Sequence, residues 1–298
     1  MFLDKIKESI NNEIFKIISE CCDENNLECY VIGGYVRDFL MGKRLAKDID
    51  ILVVGNGIKI AEKVAKKLKL KSKVTTFKNF GTAMFIYKNL EIEFVGTRKE
   101  SYNKKSRNPL VESGSLNDDL DRRDYTINTI GISLNKKSWG KVIDKFNGIN
   151  DLQNKIIKTP LEPKKTFSDD PLRMLRGARF ASQLNFKIEK ESFNGIISEK
   201  ERIKIISPER ISEEINKIIN SEQPSIGFKI LESTGLLKII LPELTDLKGI
   251  EEIEGQKHKD NFFHTLEVLD NICQNTSNLW LRWAALLHDI GKAPTKKF

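Results

Sequence analysis

The chain has 298 residues, of which 39% are hydrophobic and 31% are charged. This composition excludes a largely disordered chain and allows two or more domains, each with its own core. The net charge of +8 predicts attraction to polyanions, although charge alone does not identify a protein that binds nucleic acid.

Cysteine usage and hydropathy bear on the compartment. The four cysteines form no C-x-x-C pair, and the sequence has neither a secretory signal pattern nor an apolar run of about 18 residues. We therefore expect a cytoplasmic protein with reduced thiols and no membrane partner.

Short β-type runs dominate the chain between about residues 28 and 145. Ala61, Val64, Ala65 and Leu68 have helical spacing, which predicts one amphipathic helix among the strands. The order of elements predicts an α/β or α+β domain. The predicted strands are CYVI, DIDILVV, KVTTF, TAMFIY and EIEFVG.

The chain changes character after this region. Residues 101–122 are rich in turn-forming residues and predict a long loop. Pro160 and Pro163 mark a boundary, beyond which helical patterns prevail, including a helix start at Pro208. We expect the second half to be all α.

Asp48 and Asp50 open a predicted strand in which Ile49 and Ile51 alternate with them. Residues i and i+2 share one face of a strand, so the two carboxylates lie side by side and repel each other. A hard divalent ion such as Mg²⁺ would relieve that repulsion. The alternative is an exposed strand entrance whose aspartates are simply solvated or cap a turn.

Gly33 and Gly34 follow the apolar run that ends at Ile32. Glycines at a strand end let backbone N–H groups approach a phosphate, and Arg37 could bind the same phosphates. The alternative is a tight turn with a surface pair between Arg37 and Asp38. No Walker A loop or complete dinucleotide fingerprint occurs in the sequence.

These segments, taken together, resemble a known family. The chain is similar to class II nucleotidyltransferases, the DNA polymerase beta-like group that contains bacterial tRNA nucleotidyltransferases (CCA-adding enzymes) and poly(A) polymerases. The motifs occur in the family's order: GGYVRDFLMGKRLAKDIDILVVG (33–55), EIEFVGTRKESY (91–102), RRDYTIN (122–128), DDPLRMLRGARFASQLNF (169–186), PERISEE (208–214) and LLHDIGK (286–292).

The resemblance implies an α+β fold: an N-terminal polymerase beta-like nucleotidyltransferase domain with a mixed β-sheet, followed by all-α domains. The expected domains are a catalytic domain (1–155), a helical neck that binds nucleotide and RNA (156–225), and a helical region with the start of an HD domain (226–298).

The resemblance also implies a metal site. Asp48 and Asp50 would bind Mg²⁺, and a carboxylate from an adjacent strand would complete the catalytic set. Alternation places Glu91 and Glu93 on one face and does not choose between them. The family spacing to Arg98 favours Glu93.

Two further motifs would bind the incoming nucleotide. In RRDYTIN, Arg123 would contact phosphates and Asp124 a ribose hydroxyl, whereas R-R-D taken alone is typical of a solvated charge cluster. Nucleotide-binding residues implied by the resemblance are Gly33, Gly34, Arg37, Arg123, Asp124, Asp170, Arg173, Arg176 and Arg179.

Asp170 and Arg173 suggest base selection. A carboxylate accepts from the exocyclic amino group of cytosine or adenine, and a guanidinium donates to ring acceptors, so the pair could read C and A but reject G and U. Arg173, Arg176 and Arg179 would form one stripe of a helix whose other side packs. The alternative is that Asp170 is only a helix cap, or that Asp169 or Asp170 pairs with Arg173.

His264, His288 and Asp289 resemble the opening of an HD-type phosphohydrolase domain. Such a domain normally needs another aspartate downstream, and the chain ends at Phe298. We expect a truncated domain, a fragment of a longer protein, weak metal binding and no hydrolase activity.

The expected function is Mg²⁺-dependent, template-independent addition of CMP and AMP, from CTP and ATP, to the 3′ end of tRNA. A poly(A) polymerase or an A-only adding enzyme shares almost every motif. A third alternative is an RNA-binding or HD phosphohydrolase protein with an inactive transferase site. The motifs leave the oligomeric state open.

Overall fold

The structure is a computed structural model that describes residues 6, 8–43, 47–70, 73–78, 81–101, 110–249, 252–253, 256–257 and 260–295. The chain forms two compact units. The first contains residues 1–102, 109–154 and 158–160, and the second contains the remainder. The three-domain division at residues 155 and 225 stays a prediction.

A seven-stranded sheet organises the first unit, in the order β3-β4-β5-β2-β1-β8-β9. β2 and β5 are parallel and every other neighbouring pair is antiparallel, so the sheet is mixed, as expected. All five strands predicted from apolar runs are present. The strands of this sheet are β1 (Cys29–Ile32), β2 (Asp48–Val53), β3 (Thr75–Phe77), β4 (Thr82–Tyr87), β5 (Leu90–Gly96), β8 (Gly131–Ser133) and β9 (Val142–Ile143).

The two faces of this sheet differ. Helices α1 (Glu13–Asp23) and α3 (Gly57–Lys67) pack together, and α3 contacts β2, β4 and β5. Ile60, Ala61 and Val64 of α3 are buried, as the helical spacing predicts. The other face carries Tyr30, Ile32 and Leu52 in a smaller cluster with Leu120, and also carries the acidic positions of β2 and β5.

The prediction of one long loop over residues 101–122 is wrong in its second half. Residues 110–113 form β7 (Leu110–Ser113), which pairs with β6 (Arg98–Ser101), and α4 (Leu116–Asp121) follows. Ser115 and Asp118 form a reciprocal capping box, a local signal that the turn-forming composition obscured. Residues 102–109 of the predicted loop lie outside the described residues.

The first unit also contains two short helices. Helix α2 (Gly34–Leu40) follows β1, and α5 (Gly148–Gln153) follows β9. A 3₁₀ turn at Thr126–Asn128 links α4 to β8. These connections are short because most of the unit's strands pair with close neighbours in sequence.

The second unit is helical, as predicted, apart from two-residue strand pairs. β10 (Ile156–Ile157) pairs with β11 (Lys187–Ile188), and β12 (Glu252–Ile253) with β13 (Gln256–Lys257). One helix begins at Pro208, as predicted. The helices are α6 (Pro163–Asp169), α7 (Leu172–Leu184), α8 (Lys190–Glu199), α9 (Pro208–Ile219), α10 (Pro224–Ser233), α11 (Leu237–Ile240), α12 (Pro242–Thr245), α13 (Asn261–Cys273), α14 (Leu279–Leu287) and α15 (Lys292–Thr295).

Arg282 ties three segments of the second unit together. Its buried guanidinium on α14 donates to four backbone oxygens: Ile219 (2.9 Å), Ser221 (3.1 Å), Cys273 (3.1 Å) and Thr276 (2.9 Å). Two of these carbonyls close the C-terminal turns of α9 and α13, where orphan acceptors and the helix dipole favour a cation.

Among the described residues, none of the helices combines the length and the apolar character that crossing a bilayer requires.

Replacing Arg282 by lysine should lower the stability of the second unit by about 2–3 kcal/mol, because an ammonium group cannot reach four carbonyls that diverge around a planar fork. Urea denaturation followed by circular dichroism measures this. The matched control is Lys204→Ala, which removes an exposed pair with Glu201 and should change stability by less than about 0.5 kcal/mol. Equal midpoints for the two variants would contradict the role assigned to Arg282.

Candidate active site

Two pairs of carboxylates lie on the sheet face that also carries Leu52. β2 and β5 are parallel, with Asp48 opposite Glu91 and Asp50 opposite Glu93. Asp50 and Glu93 are half-buried, whereas Asp48 and Glu91 are exposed. Strand alternation did not choose between Glu91 and Glu93 as the third carboxylate. Because Glu93 is the more buried of the two and lies opposite Asp50, the structure favours Glu93.

The electrostatics of this pair suit a cation. Burial, followed by the neighbouring Asp50 carboxylate, raises the pKa of Glu93 above its ordinary value, although a hydrogen bond with Thr82 opposes the shift. Two carboxylates on adjacent strands disfavour each other's charge, and a divalent ion with oxygen ligands would remove that penalty. Carboxylate oxygens are the ligands that a hard divalent ion takes, so Asp48, Asp50 and Glu93 are the residues that would hold one.

The glycine turn lies directly beside the carboxylates. Gly33 follows β1 with φ of +80°, a conformation that favours glycine, and serves as the N-cap residue of α2. A Cβ at Gly33 would lie 3.3 Å from Asp50 Oδ2 and 3.6 Å from Arg123 Nη1. Glycine at this position therefore keeps open the space between an acidic and a basic group.

Arg37 is held by the protein itself. Its Nε and Nη2 both reach Asp38 Oδ1 at 2.8 Å, and its Nη1 donates to Asn128 Oδ1 at 2.8 Å. The Arg37–Asp38 pair considered from the sequence is thus present, but the guanidinium is largely buried rather than on the surface. Gly34 lies beside it, because a Cβ there would be 3.7 Å from Arg37 Nη2.

The two arginines of the RRDYTIN segment share one buried carboxylate. Asp119 Oδ1 accepts from Arg122 Nε at 2.9 Å and is also paired with its Nη2. Asp119 Oδ2 accepts from Arg123 Nε at 3.2 Å and Nη2 at 3.1 Å. Arg122 also pairs with Glu100. The solvated cluster considered for this motif is therefore not what the chain forms.

Asn128 connects the nucleotide-site candidates of the first unit. Its side-chain oxygen accepts from Arg37, its Nδ2 donates to Asp124 at 3.0 Å, and its backbone oxygen accepts from Arg123 Nη1 at 3.3 Å. Asp124 is buried and also accepts from the Tyr125 N–H at 2.8 Å. Asp124 thereby fixes the turn that carries Asn128, and its contact with a ribose stays a prediction.

In the second unit, Asp170 caps the start of α7. Its Oδ1 accepts from the Leu172 N–H at 3.2 Å, which is the capping role considered as an alternative. Arg173 is buried and donates from Nη1 to the Thr166 oxygen at 3.3 Å. Capping uses one carboxylate oxygen and so is compatible with base reading, which stays a prediction.

The arginine stripe of α7 is less exposed than expected. Arg179 is buried, donates to Glu214 Oε1 at 3.0 Å and lies 4.3 Å from the centre of the Phe180 ring. Arg176 is half-buried, 5.4 Å from the same ring. The expectation of an open guanidinium face is therefore wrong for Arg173 and Arg179, and the Glu214 contact favours a structural role for Arg179.

The candidate HD residues lie together. Single ligand atoms from His264, His288 and Asp289 fall within 4.8 Å of one another. Asp289 Oδ2 also accepts from Lys292 Nζ at 2.6 Å, so an internal cation competes for this carboxylate. This competition is consistent with the expected weak metal binding, which stays a prediction.

A cavity of about 610 Å³ lies elsewhere on the first unit. It adjoins the beginning of β1, whereas the glycine turn follows the end of that strand, and none of the three candidate carboxylates lines it. Its acidic groups are internally paired: Asp23 with Asn135 and Lys136, and Glu28 with Tyr30. This cavity is therefore separate from the residues that carry the candidate chemistry.

Sequence reasoning missed Asp119 and Asn128. Both lie in or next to segments already quoted, but a buried acid within a polar run carries no periodic signal. The S-x-x-D capping box before Asp119 was the available sign of a helix that would place this side chain.

Two family models match the chain. Residues 29–158 match the model described as "Poly A polymerase head domain", and residues 185–248 match the one described as "Probable RNA and SrmB- binding site of polymerase A". The first match contains the glycine turn, the three carboxylates and the RRDYTIN segment.

Curated relatives agree with these matches. An A-adding tRNA nucleotidyltransferase of Aquifex aeolicus is 36% identical over 69% of this chain and 25% of its own length. A multifunctional CCA protein of Pseudomonas fluorescens is 31% identical over 90% of this chain and 64% of its own. The chain thus spans between a quarter and about two thirds of the length of these relatives.

A solved structure shares the fold. It is described as a tRNA nucleotidyltransferase complexed with a primer tRNA and an incoming ATP analogue, and it matches with a TM-score of 0.68 at 27% identity, over 91% of this chain and 75% of its own. The ordered motifs, the two family matches and these relatives establish that the chain belongs to the poly(A) polymerase head-domain family, which includes the tRNA nucleotidyltransferases.

Proposed function

We propose that the chain is an Mg²⁺-dependent enzyme that adds CMP and AMP, from CTP and ATP, to the 3′ end of tRNA without a nucleic-acid template and releases pyrophosphate. The observation that carries this proposal is the register of β2 and β5, which sets Asp50 opposite Glu93 beside the Gly33 turn. The similarity to A-adding and CCA-adding enzymes supports tRNA as the acceptor.

Nucleotidyl transfer needs three things from the protein: an aligned acceptor hydroxyl, a held triphosphate and compensation for negative charge. The 3′ oxygen of the tRNA forms a bond to the α-phosphorus while the bond to pyrophosphate breaks, and the hydroxyl proton leaves to solvent. Mg²⁺ would supply positive charge to the entering and leaving oxygens. Asp48, Asp50 and Glu93 would hold it.

The residues around Gly33 suit the triphosphate. Arg123 Nη1 lies beside Gly33. Arg37, on α2, lies beside Gly34. Because both guanidinium groups are already fixed by hydrogen bonds, little side-chain entropy is lost when phosphate arrives. We assign Arg123, Arg37 and the backbone of Gly33 and Gly34 to phosphate binding, and Asp124 to a ribose hydroxyl.

Base selection would come from Asp170 and Arg173 at the start of α7. Both are held close to the helix backbone, which gives their hydrogen-bonding groups fixed directions. A carboxylate that accepts from cytosine N4 or adenine N6 has no favourable partner in the carbonyl of U or G. This arrangement would admit two bases with one set of side chains.

An A-only adding enzyme is the second candidate, because the similar proteins include A-adding tRNA nucleotidyltransferases. The two candidates differ only in the products that they make. Residues 249–298 lie outside both family matches, and the phosphohydrolase alternative for His264, His288 and Asp289 stays a prediction.

Product length separates these candidates. With labelled CTP and ATP, a tRNA ending before its CCA should be extended by three nucleotides, and a tRNA ending in CC by one AMP. Gel analysis of each labelled product is the measurement. Extension of only the second tRNA would establish the A-only candidate, and long homopolymers on unrelated RNA would establish a poly(A) polymerase.

Glu93→Gln should reduce nucleotide incorporation by at least about a hundredfold, because it removes a charge directly opposite Asp50. Asp50→Asn should have an effect at least as large. Single-turnover rates under saturating Mg²⁺ and nucleotide measure the loss. Glu91→Gln is the matched control on the same strand, and we expect a change below about threefold. Equal losses in the Glu91 and Glu93 variants would refute the assignment of Glu93.

Asp170→Ala should weaken discrimination against UTP and GTP by about tenfold, because the carboxylate that accepts from the amino group is lost. Competition between CTP and UTP for one acceptor tRNA gives the ratio of kcat/KM values. The neighbouring variant Asp169→Ala should keep the wild-type ratio. If Asp170→Ala lowers all four rates without changing their ratio, Asp170 acts only as a helix cap.

A further inference from the structure

We propose that Asp119 is a positioning residue for nucleotide addition: its carboxylate orients Arg123, and with it the end of the guanidinium group that faces the glycine turn. This inference rests on the proposed function, since it concerns the phosphates of the incoming nucleotide. It assigns a role to a buried acid that the sequence motifs did not identify.

The geometry of the contact is that of a two-sided clamp. Asp119 is fully buried on α4, and each of its oxygens serves a different arginine. Oδ1 binds Arg122, while Oδ2 receives both Nε (3.2 Å) and Nη2 (3.1 Å) of Arg123. Two donors of one planar group on a single oxygen hold this edge of the Arg123 guanidinium against Asp119.

The opposite end of Arg123 is the end near the site. Nη1 donates to the Asn128 backbone oxygen at 3.3 Å and lies 3.6 Å from the place of a Gly33 Cβ. Asp50 Oδ2 lies 3.3 Å from that same place. A phosphate that enters above the glycine turn would therefore meet Nη1, while Asp119 holds the other edge of the guanidinium.

Asp119 is itself anchored to the sheet that carries the carboxylates. A reciprocal capping box between Ser115 and Asp118 fixes the start of α4. The next residue, Leu120, packs against Ile32 and Leu52, which neighbour the glycine turn and the acidic positions of β2. Asp119 is therefore anchored, through Leu120, to the same strands that carry Asp50 and the glycine turn.

A carboxylate is required here because both oxygens must accept. An amide in its place would keep one accepting oxygen and would direct an NH₂ group at the other arginine, which has only donors. Either orientation of the amide would release one guanidinium, and the remaining oxygen should stay with Arg122, whose Nε contact is the shorter (2.9 Å, against 3.2 Å for Arg123), so that Arg123 is the one released. We expect the Arg123 guanidinium to lose its fixed orientation, which should weaken nucleotide binding and leave tRNA binding unchanged.

The test compares Asp119→Asn with Asp121→Asn. Asp121 is on the same helix but is half-exposed and pairs with Lys145. We expect Asp119→Asn to raise the KM for CTP and ATP about tenfold, the scale of one lost charge-assisted hydrogen bond, while the KM for tRNA changes less than twofold. Asp121→Asn should match the wild type in both constants.

A double-mutant cycle then distinguishes positioning from general support of the fold. In an Arg123→Ala background, Asp119→Asn should add less than about a twofold change in nucleotide KM, because its target is gone. The same tenfold change in both backgrounds would overturn the proposal. So would an unchanged nucleotide KM accompanied only by a lower melting temperature.

Misfolding of Asp119→Asn and failure of the proposed function can each be distinguished from failure of this inference. If Asp119→Asn does not fold, Asp119→Glu replaces it: the added methylene displaces both arginines, so a raised nucleotide KM supports the proposal and an unchanged one overturns it. Failure of the proposed function would look different, because the wild type and Asp121→Asn would then transfer neither nucleotide to tRNA.

Discussion

The repulsion between Asp50 and Glu93 is the constraint on which the rest of the first unit depends. Sheet register sets the two carboxylates opposite each other on parallel strands, and burial, followed by the Asp50 carboxylate, raises the pKa of Glu93. The opposite face offsets the cost of this repulsion, because Ile49 and Ile51, which alternate with the aspartates, are buried. A slip of one residue would turn Asp48 and Asp50 toward the face where Ile49 and Ile51 are now buried.

The arginines near this acidic face are held by acids of their own. Arg37 has Asp38, whereas Arg122 and Arg123 share Asp119. Such pairing lowers the positive charge available to an anion, but it fixes the direction of each donor before a ligand arrives. If the site aligns a triphosphate for in-line attack, as proposed, fixed direction contributes more than a mobile charge would, because reorganisation is avoided at the moment of reaction.

Local patterns predicted most of the first unit and the pairing of its carboxylates. Period-two alternation placed Asp48 and Asp50 on one face, and family resemblance, rather than periodicity, chose Glu93. Burial could not be predicted: a polar run around Asp119 looks like a loop, and an arginine such as Arg179 looks exposed until its partner, 35 residues away, is known. Partners distant in sequence leave no local signal, which is why the positioning residues were missed.

Gly33 lies between the acidic strand face and the arginines held by Asp119. The acidic group and the basic group approach the same point from different elements, and only hydrogen occupies it. A larger side chain there would be strained by the positive φ and would fill the space between the Asp50 carboxylate and the Arg123 guanidinium. The glycine therefore has a steric role and an electrostatic one at once. Because no side chain occupies this point, it leaves room beside Arg123 for the negatively charged ligand that the proposed function requires.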